Sequence, residues 1–210
     1  MARDEGPSGS PWPRRGIAPE RFRGRADLSL TARGLTEADR VAQRIASHWR
    51  PKAVYTSPLT RCVATGAAIA AACGTQAAAV LQDLIDIDYG AWQFKSFEEI
   101  QRENPALFDA WLATPHLVRF PAGESLQDLV ARTAGALRHA LERHPDDTVV
   151  LVGHASVNRA LLLQLLDLPL TSYWRLAQSP CCINEIDIAG RRVEVVRMNE
   201  TQHLDGLEAA

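Results

Sequence analysis

His154 stands at the kind of corner where α/β proteins place their chemistry. The run Thr148-Val149-Val150-Leu151-Val152 stops at Gly153-His154-Ala155 and continues into an apolar stretch, 156–168. So short a β-branched run, flanked by Asp146-Asp147, predicts a strand buried on both faces, as in a parallel sheet. Ligands bind at the carboxyl end of such strands, and the following helix turns unpaired N–H groups toward the same place. A structural polar histidine is the competing reading.

Arg61 is the second residue with chemistry in its position. In Ser57-Pro58-Leu59-Thr60-Arg61-Cys62, Ser-Pro reads as an N-cap and first helical residue, placing Arg61 in a first turn that follows a strand. A guanidinium beside free backbone N–H groups suits a phosphate, which it can hold bidentately. A cation there opposes the helix dipole, and that local cost argues against surface decoration.

The other ionisable groups read more plainly. Arg14, Arg15, Arg21, Arg23 and Arg25 form a positive cluster on irregular chain, either a solvated arm or an anion-facing loop. His48, His139 and His144 lie near helix ends with polar neighbours and read as surface. His116 precedes Pro121 in a loop that could face a substrate, and His203 sits near the tail. The tryptophans read as core, although Trp92 lies in a loop that could line a pocket. Cys62, Cys73, Cys181 and Cys182 show no metal-ligand spacing and read as reduced thiols of a cytoplasmic protein.

The elements that must position these groups follow from periodicity and caps. The 210 residues predict one domain, with 46% hydrophobic and 23% charged content ordinary for a globular chain. A net charge of -2 gives no global attraction to nucleic acid or acidic membranes, so any anion site must be local. No apolar run approaches a membrane span, and the N-terminus reads as lacking a signal-peptide h-region. Thr36 with Asp39 resembles a capping box for a helix over 36–49, stopped by Pro51. A strand at 53–56, a helix closing near Gly74, and a further strand at 77–81 follow. Residues 83–93 read as irregular. Ser96 with Glu99 caps a short helix, Pro105 opens another, and Ser125 caps a long one after the loop 114–123. Strands at 183–188 and 193–198 flank Ala189-Gly190-Arg191 as a hairpin, and 199–210 reads as a weakly structured tail. Strands alternating with helices predict an α/β fold of three layers: a mostly parallel central sheet, helices on both faces, and a late antiparallel hairpin. The expected division is an irregular arm over 1–20, a single domain over 21–204, and a tail over 205–210.

Taken in order, these pieces resemble the histidine phosphatase superfamily, in its phosphoglycerate-mutase-like branch. The matching motifs are Arg21-Phe22-Arg23-Gly24-Arg25-Ala26-Asp27 with Leu30-Thr31-Ala32-Arg33-Gly34, then Tyr55-Thr56-Ser57-Pro58-Leu59-Thr60-Arg61-Cys62. Next come Asp86-Ile87-Asp88-Tyr89-Gly90-Ala91-Trp92, Pro121-Ala122-Gly123-Glu124-Ser125, Val152-Gly153-His154-Ala155 and the segment 199–204. Each motif alone is weak; the ordered set spans nearly everything after residue 20.

The resemblance implies a chemistry. Family members transfer a phosphoryl group to the histidine of an N-terminal Arg-His-Gly motif and then to water. Arginines and a second histidine hold the phosphate, and a carboxylic acid protonates the leaving alcohol. It makes His154 the second histidine, Arg61 a phosphate clamp, and Gly24 and Arg25 phosphate-binding members of the substrate-side loop. Asp86 takes the place of the usual glutamate acid. One methylene shorter, it would need a water or a shifted loop, with Asp88 as the fallback. Gln93-Phe94 replaces a common Glu-Gly pair and could narrow the mouth. No Arg-His-Gly is present, and no histidine precedes His48. Glu5, Asp4 and Arg15 compete for the nucleophile's place, and the first two leave only Met1-Ala2-Arg3 of the strand before it. The N-terminus accordingly reads as truncated or diverged.

Three functions follow from the resemblance. The first is hydrolysis of a small phosphorylated metabolite. The second is a catalytically silent relative whose pocket of Arg61, His154 and Arg25 binds a phosphorylated ligand or protein. The third, mutase-type transfer, ranks lower because the segment from Trp92 to Pro121 is short. A vestigial pocket on a scaffold protein is a weaker alternative. No cofactor or metal is expected.

Overall fold

The computed structural model describes residues 21–207. Helix α1 (Ala32–His48) precedes strand β1 (Ala53–Thr56), helix α2 (Thr60–Cys73) and a short strand β2 (Ala79–Val80). Helices α3 (Phe97–Glu103), α4 (Pro105–Ala113) and α5 (Leu126–Arg143) lead to strand β3 (Val149–Val152) and helix α6 (Ala155–Leu165). The hairpin β4 (Ile183–Ala189) and β5 (Arg192–Glu200) follows. The expected α/β fold is present: a parallel ladder in the order β2-β1-β3, helices, and a late antiparallel pair.

Local chemistry explains most boundaries. Ser96 and Ser125 each form a complete capping box, with Glu99 and Asp128 returning a hydrogen bond to the cap's own N–H. Pro105 stands in the first turn of α4. α2 ends where Gly74 takes φ +66°, a conformation that costs a glycine nothing. α1 begins four residues before Thr36, because Thr31 accepts the Gly34 N–H and caps the helix earlier.

Two apolar clusters lie on either side of the sheet. Val41, Ala42 and Ile45 of α1 with Ile69 and Ala70 of α2 meet Val54, Val150, Val152 and Ile183. Leu129, Ala136 and Ala140 of α5 with Val157 and Ala160 of α6 meet Tyr55, Val149, Leu151 and Ile186. The period-two alternation of β3 divides it between the two clusters. β3 is packed on both faces, as its apolar run predicts, although each of its four residues is half-buried and not fully enclosed. Among the described residues β3 is the last strand of its ladder, and its outer edge gains no strand neighbour.

The tail also differs from expectation. Asn199 and Glu200 complete β5, and Gln202–Leu204 forms a 3-10 turn. Glu200 is held by the Arg44 Nε at 2.8 Å and the Arg197 Nε at 3.0 Å, so charge pairing orders what composition alone left loose. The expectations for Asp4, Glu5, Arg15 and the whole arm 1–20 fall outside the described residues.

Candidate active site

The parallel register of β1 and β3 brings two loops to one end of the sheet. Thr56 lies opposite Val152, so Ser57 and Gly153-His154 leave the ladder side by side, and the Ser57 N–H donates to the Val152 carbonyl at 2.9 Å. His154 is the extended N-cap residue of α6, with its ring turned into the protein at 8% exposure. Arg61, one residue into α2, reaches it: Nη2 donates to His154 Nδ1 at 3.2 Å and to Asp86 Oδ2 at 3.4 Å. The same guanidinium donates to the carbonyls of Ala26 at 2.7 Å and Gly24 at 2.9 Å.

α2 starts later than Ser57-Pro58 suggests. Its first residue is Thr60, with Leu59 at the cap position. The anion that answers the helix dipole comes from elsewhere in the chain. Asp27 accepts the Thr60 N–H at 2.7 Å and the Thr60 hydroxyl at 2.9 Å. Those bonds hold the Asp27 carboxyl below its ordinary range. A cation at Arg61 is thereby tolerated. Ser57, freed from capping, is fully buried and places its Oγ 2.7 Å from His154 Nε2.

The tautomer of His154 follows from its neighbours. A guanidinium only donates, so Nδ1 accepts from Arg61 and Nε2–H donates to Ser57 Oγ, which also accepts the Leu59 N–H at 3.3 Å. Burial pushes the imidazole down to about 4; the Asp86 carboxylate pulls upward, and the Arg61 and Arg132 charges add to the lowering. The ring is therefore neutral near pH 7. Cys62 Sγ lies 3.6 Å from Nε2, and burial pushes that thiol up to about 12, so it remains a thiol.

Asp86 meets the site directly. Its Oδ2 is 3.7 Å from His154 Nδ1, and its Oδ1 accepts the Ile87 N–H at 2.8 Å and the Ser156 hydroxyl. The shorter acid is thus in contact with Arg61 and His154 without an intervening group. Asp88 turns away, accepting from Gly90 N–H at 2.8 Å and Arg25 Nη1 at 3.3 Å.

Arg61, His154 and Asp86 are brought together, and Gly24 joins them through its carbonyl. Gly24 has φ +45°, and a Cβ there would stand 2.7 Å from the Ile87 carbonyl, so the position admits only glycine without strain. Arg25 is not among them. Its donors go to Glu124 Oε1 at 2.7 Å, Asp88 at 3.3 Å and the Asp86 carbonyl at 3.2 Å, so it reaches the imidazole only through the Asp86 backbone.

Other expectations are corrected. Trp92 does not line a pocket; it is 2% exposed and packs edge-on against Phe22 and Phe120. Phe94 is exposed at φ +68°. His144 is not a free surface group, since its Nε2 lies 3.0 Å from the Tyr55 hydroxyl. Among the described residues His116 Nδ1 is enclosed without a hydrogen-bond partner.

Sequence reasoning missed Ser57 as a partner of His154, Ser156 as a donor to Asp86, and Arg132. Arg132 is six residues into α5 and points at Glu124 and the 83–86 backbone. Its only sequence signal is a charge beside Leu129, Val130 and Thr133 on the packed side of an amphipathic helix.

Comparison with known proteins bears on this geometry. A family model described as histidine phosphatase superfamily (branch 1) matches residues 11–201. Phosphoserine phosphatase 1 of Hydrogenobacter thermophilus is 33% identical over 185 residues, which cover 88% of this chain and 86% of that protein. A metal-independent phosphoserine phosphatase of Arabidopsis thaliana is 30% identical over 69% of this chain and 61% of its own length. Among solved structures, Bacillus stearothermophilus YhfR superposes with a TM-score of 0.81 at 26% identity, covering 89% of this chain and 92% of that one. A phosphoserine phosphatase of Entamoeba histolytica, solved in complex with phosphoserine, shares the fold with a TM-score of 0.77 at 24% identity, over 88% and 90% of the two chains.

Proposed function

Because the chain belongs to the histidine phosphatase superfamily (branch 1), we propose that it acts on a small phosphorylated metabolite by phosphomonoester hydrolysis at the Arg61–His154–Asp86 site. The observation that supports this reading is the approach of a guanidinium, a neutral imidazole and a carboxylate within 4 Å of one another at the carboxyl end of a parallel ladder. In this reading Arg61 turns its fork from the Ala26 and Gly24 carbonyls to the phosphate oxygens, where a dianion is the stronger acceptor. As the anion approaches and Arg61 turns away, His154 takes up a proton at Nδ1 and donates that N–H to the same oxygens, while Nε2–H stays on Ser57. Asp86, in its protonated form, gives its proton to the alcohol oxygen as the bond from that oxygen to phosphorus breaks, and water supplies the oxygen that joins phosphorus. Phosphoserine, named in several relatives, is the first metabolite to assay.

A second reading is a silent member that binds a phosphorylated ligand. It is favoured by one observation: the first histidine of the chain is His48, so the Arg-His-Gly nucleophile has no counterpart before it. Turnover of nitrophenyl phosphate and phosphoserine separates the two. Hydrolysis that falls about 10²–10⁴-fold in Asp86→Asn, as loss of a general acid predicts, and that vanishes in His154→Ala supports the enzyme. Absence of turnover with retained phosphate binding supports the silent pocket.

A further inference from the structure

The phosphate-site reading leaves unused a set of buried charges beneath Asp86. Arg132 Nε donates to Glu124 Oε1 at 2.9 Å, and Nη2 donates to Glu124 Oε2 at 3.1 Å. Its remaining donors hold main chain: Nη1 bonds the carbonyls of Asp83 at 2.8 Å and Ile85 at 2.6 Å, and Nη2 bonds that of Asp86 at 3.0 Å. Glu124 completes the frame by accepting the Asp88 N–H at 3.0 Å and Arg25 Nη2 at 2.7 Å. Both side chains are about five-sixths buried, at 15% and 16% exposure. Burial pushes the Glu124 carboxyl up, but the Arg132 and Asp88 hydrogen bonds and the two guanidinium charges outweigh it and hold the group below its ordinary range.

The segment so held is also met by Arg25 Nε on the Asp86 carbonyl at 3.2 Å and by the Glu124 N–H on the Asp88 carbonyl at 2.9 Å. Between the 3-10 turns Gln82–Leu84 and Gly90–Trp92 it has no regular structure, and Leu84 and Ile87 are its buried anchors. α5 is firm by contrast, with a complete capping box and Leu129, Thr133 and Ala136 buried around Arg132. A planar fork of five donors can hold three carbonyls and a carboxylate at once; an ammonium on a flexible stem cannot.

We propose that Arg132, together with Glu124, is a positioning residue that fixes the 83–88 backbone so that the short Asp86 side chain reaches His154 and Arg61. This rests on the reading of that site as a phosphate pocket. Apart from its charge, which helps to lower the imidazole pKa, Arg132 acts through the backbone on which Asp86 is mounted.

The test compares Arg132→Lys with wild type and with Arg44→Lys, a change to the remote Arg44–Glu200 pair. Two quantities are measured: the titration midpoint of the His154 ring by NMR, and binding of inorganic phosphate by calorimetry. Asp86, Arg61, Cys62, Ser57 and Arg132 are the groups that face or act on that ring, and Lys keeps the charge at 132. A displaced Asp86 therefore shows as a midpoint lower than wild type, because the carboxylate that favours the imidazolium has moved away, while phosphate binding by wild type reports on the pocket itself. Arg44→Lys should move neither. Glu124→Asp, which keeps the charge but shortens its reach to Arg132 and the Asp88 N–H, should shift the midpoint in the same direction and stands in should Arg132→Lys fail to fold. An unchanged midpoint in the folded variants overturns the positioning role. Wild-type protein that binds no phosphate overturns the pocket reading instead, while the midpoints still decide the role of Arg132.

Discussion

At the scale of the residue, the site is governed by how little water reaches it. His154 is nearly enclosed, and burial holds its imidazole neutral down to about pH 4. An unfolded histidine titrates near 6.5, so the unfolded chain binds the proton first as the pH falls. The stability conferred by the neutral ring is present above about 6.5 and is lost progressively toward 4, about 3 kcal/mol across that window. Carboxylates held low, such as Glu124, act mainly below it. Urea unfolding at stepped pH should show a steeper loss between 6.5 and 4 for wild type than for His154→Gln. A slope unchanged by that substitution would remove the buried-imidazole account. Gly24 supplies a second residue-level outcome. Alanine there meets both a positive φ and the Ile87 carbonyl, and should cost about 1–3 kcal/mol in the same assay.

At the scale of the element, helix ends decide which groups face the site. Ser125 opens α5, and that helix carries Arg132 to the 83–86 carbonyls. Ser125→Ala removes a buried cap and should destabilise the fold by about 1 kcal/mol, read as a lower urea midpoint with an unchanged slope. Caps of this kind were legible in the sequence because they are local: Ser96-Glu99, Ser125, Pro105 and Gly74 all lie within a few residues of the helix ends they mark. The cap of α2 was not legible, since its anion, Asp27, is 33 residues away from Thr60. The degree of burial of β3 was not legible either, although both of its faces are packed. An apolar run states that a strand prefers burial, but strand neighbours on its edges are a property of the sheet.

At the scale of the whole molecule, the joined site makes ligand and fold one equilibrium. A phosphate that binds only the native state stabilises it by about 2.7 kcal/mol at a hundredfold excess over its Kd, a rise in Tm of roughly 5–10 °C for a chain of this size. Differential scanning calorimetry with added phosphate should show that rise in wild type and a much smaller one in Arg61→Met. A Tm indifferent to phosphate in wild type would favour a vestigial pocket.

Local chemistry in the chain was enough to determine the alternation of strands and helices, the caps, the hairpin, and the two corners bearing His154 and Arg61, because each depends on neighbours a few residues apart. The order of motifs also carried the family likeness. Only the tertiary structure decided that Ser57 faces the imidazole instead of capping α2. It alone turned Arg25 toward carboxylates, buried Trp92, and enlisted Arg132 from 46 residues away to hold the Asp86 backbone. Side-chain direction at a junction of distant segments is set by the competition among all donors and acceptors that meet there, and that company is assembled only when the chain folds.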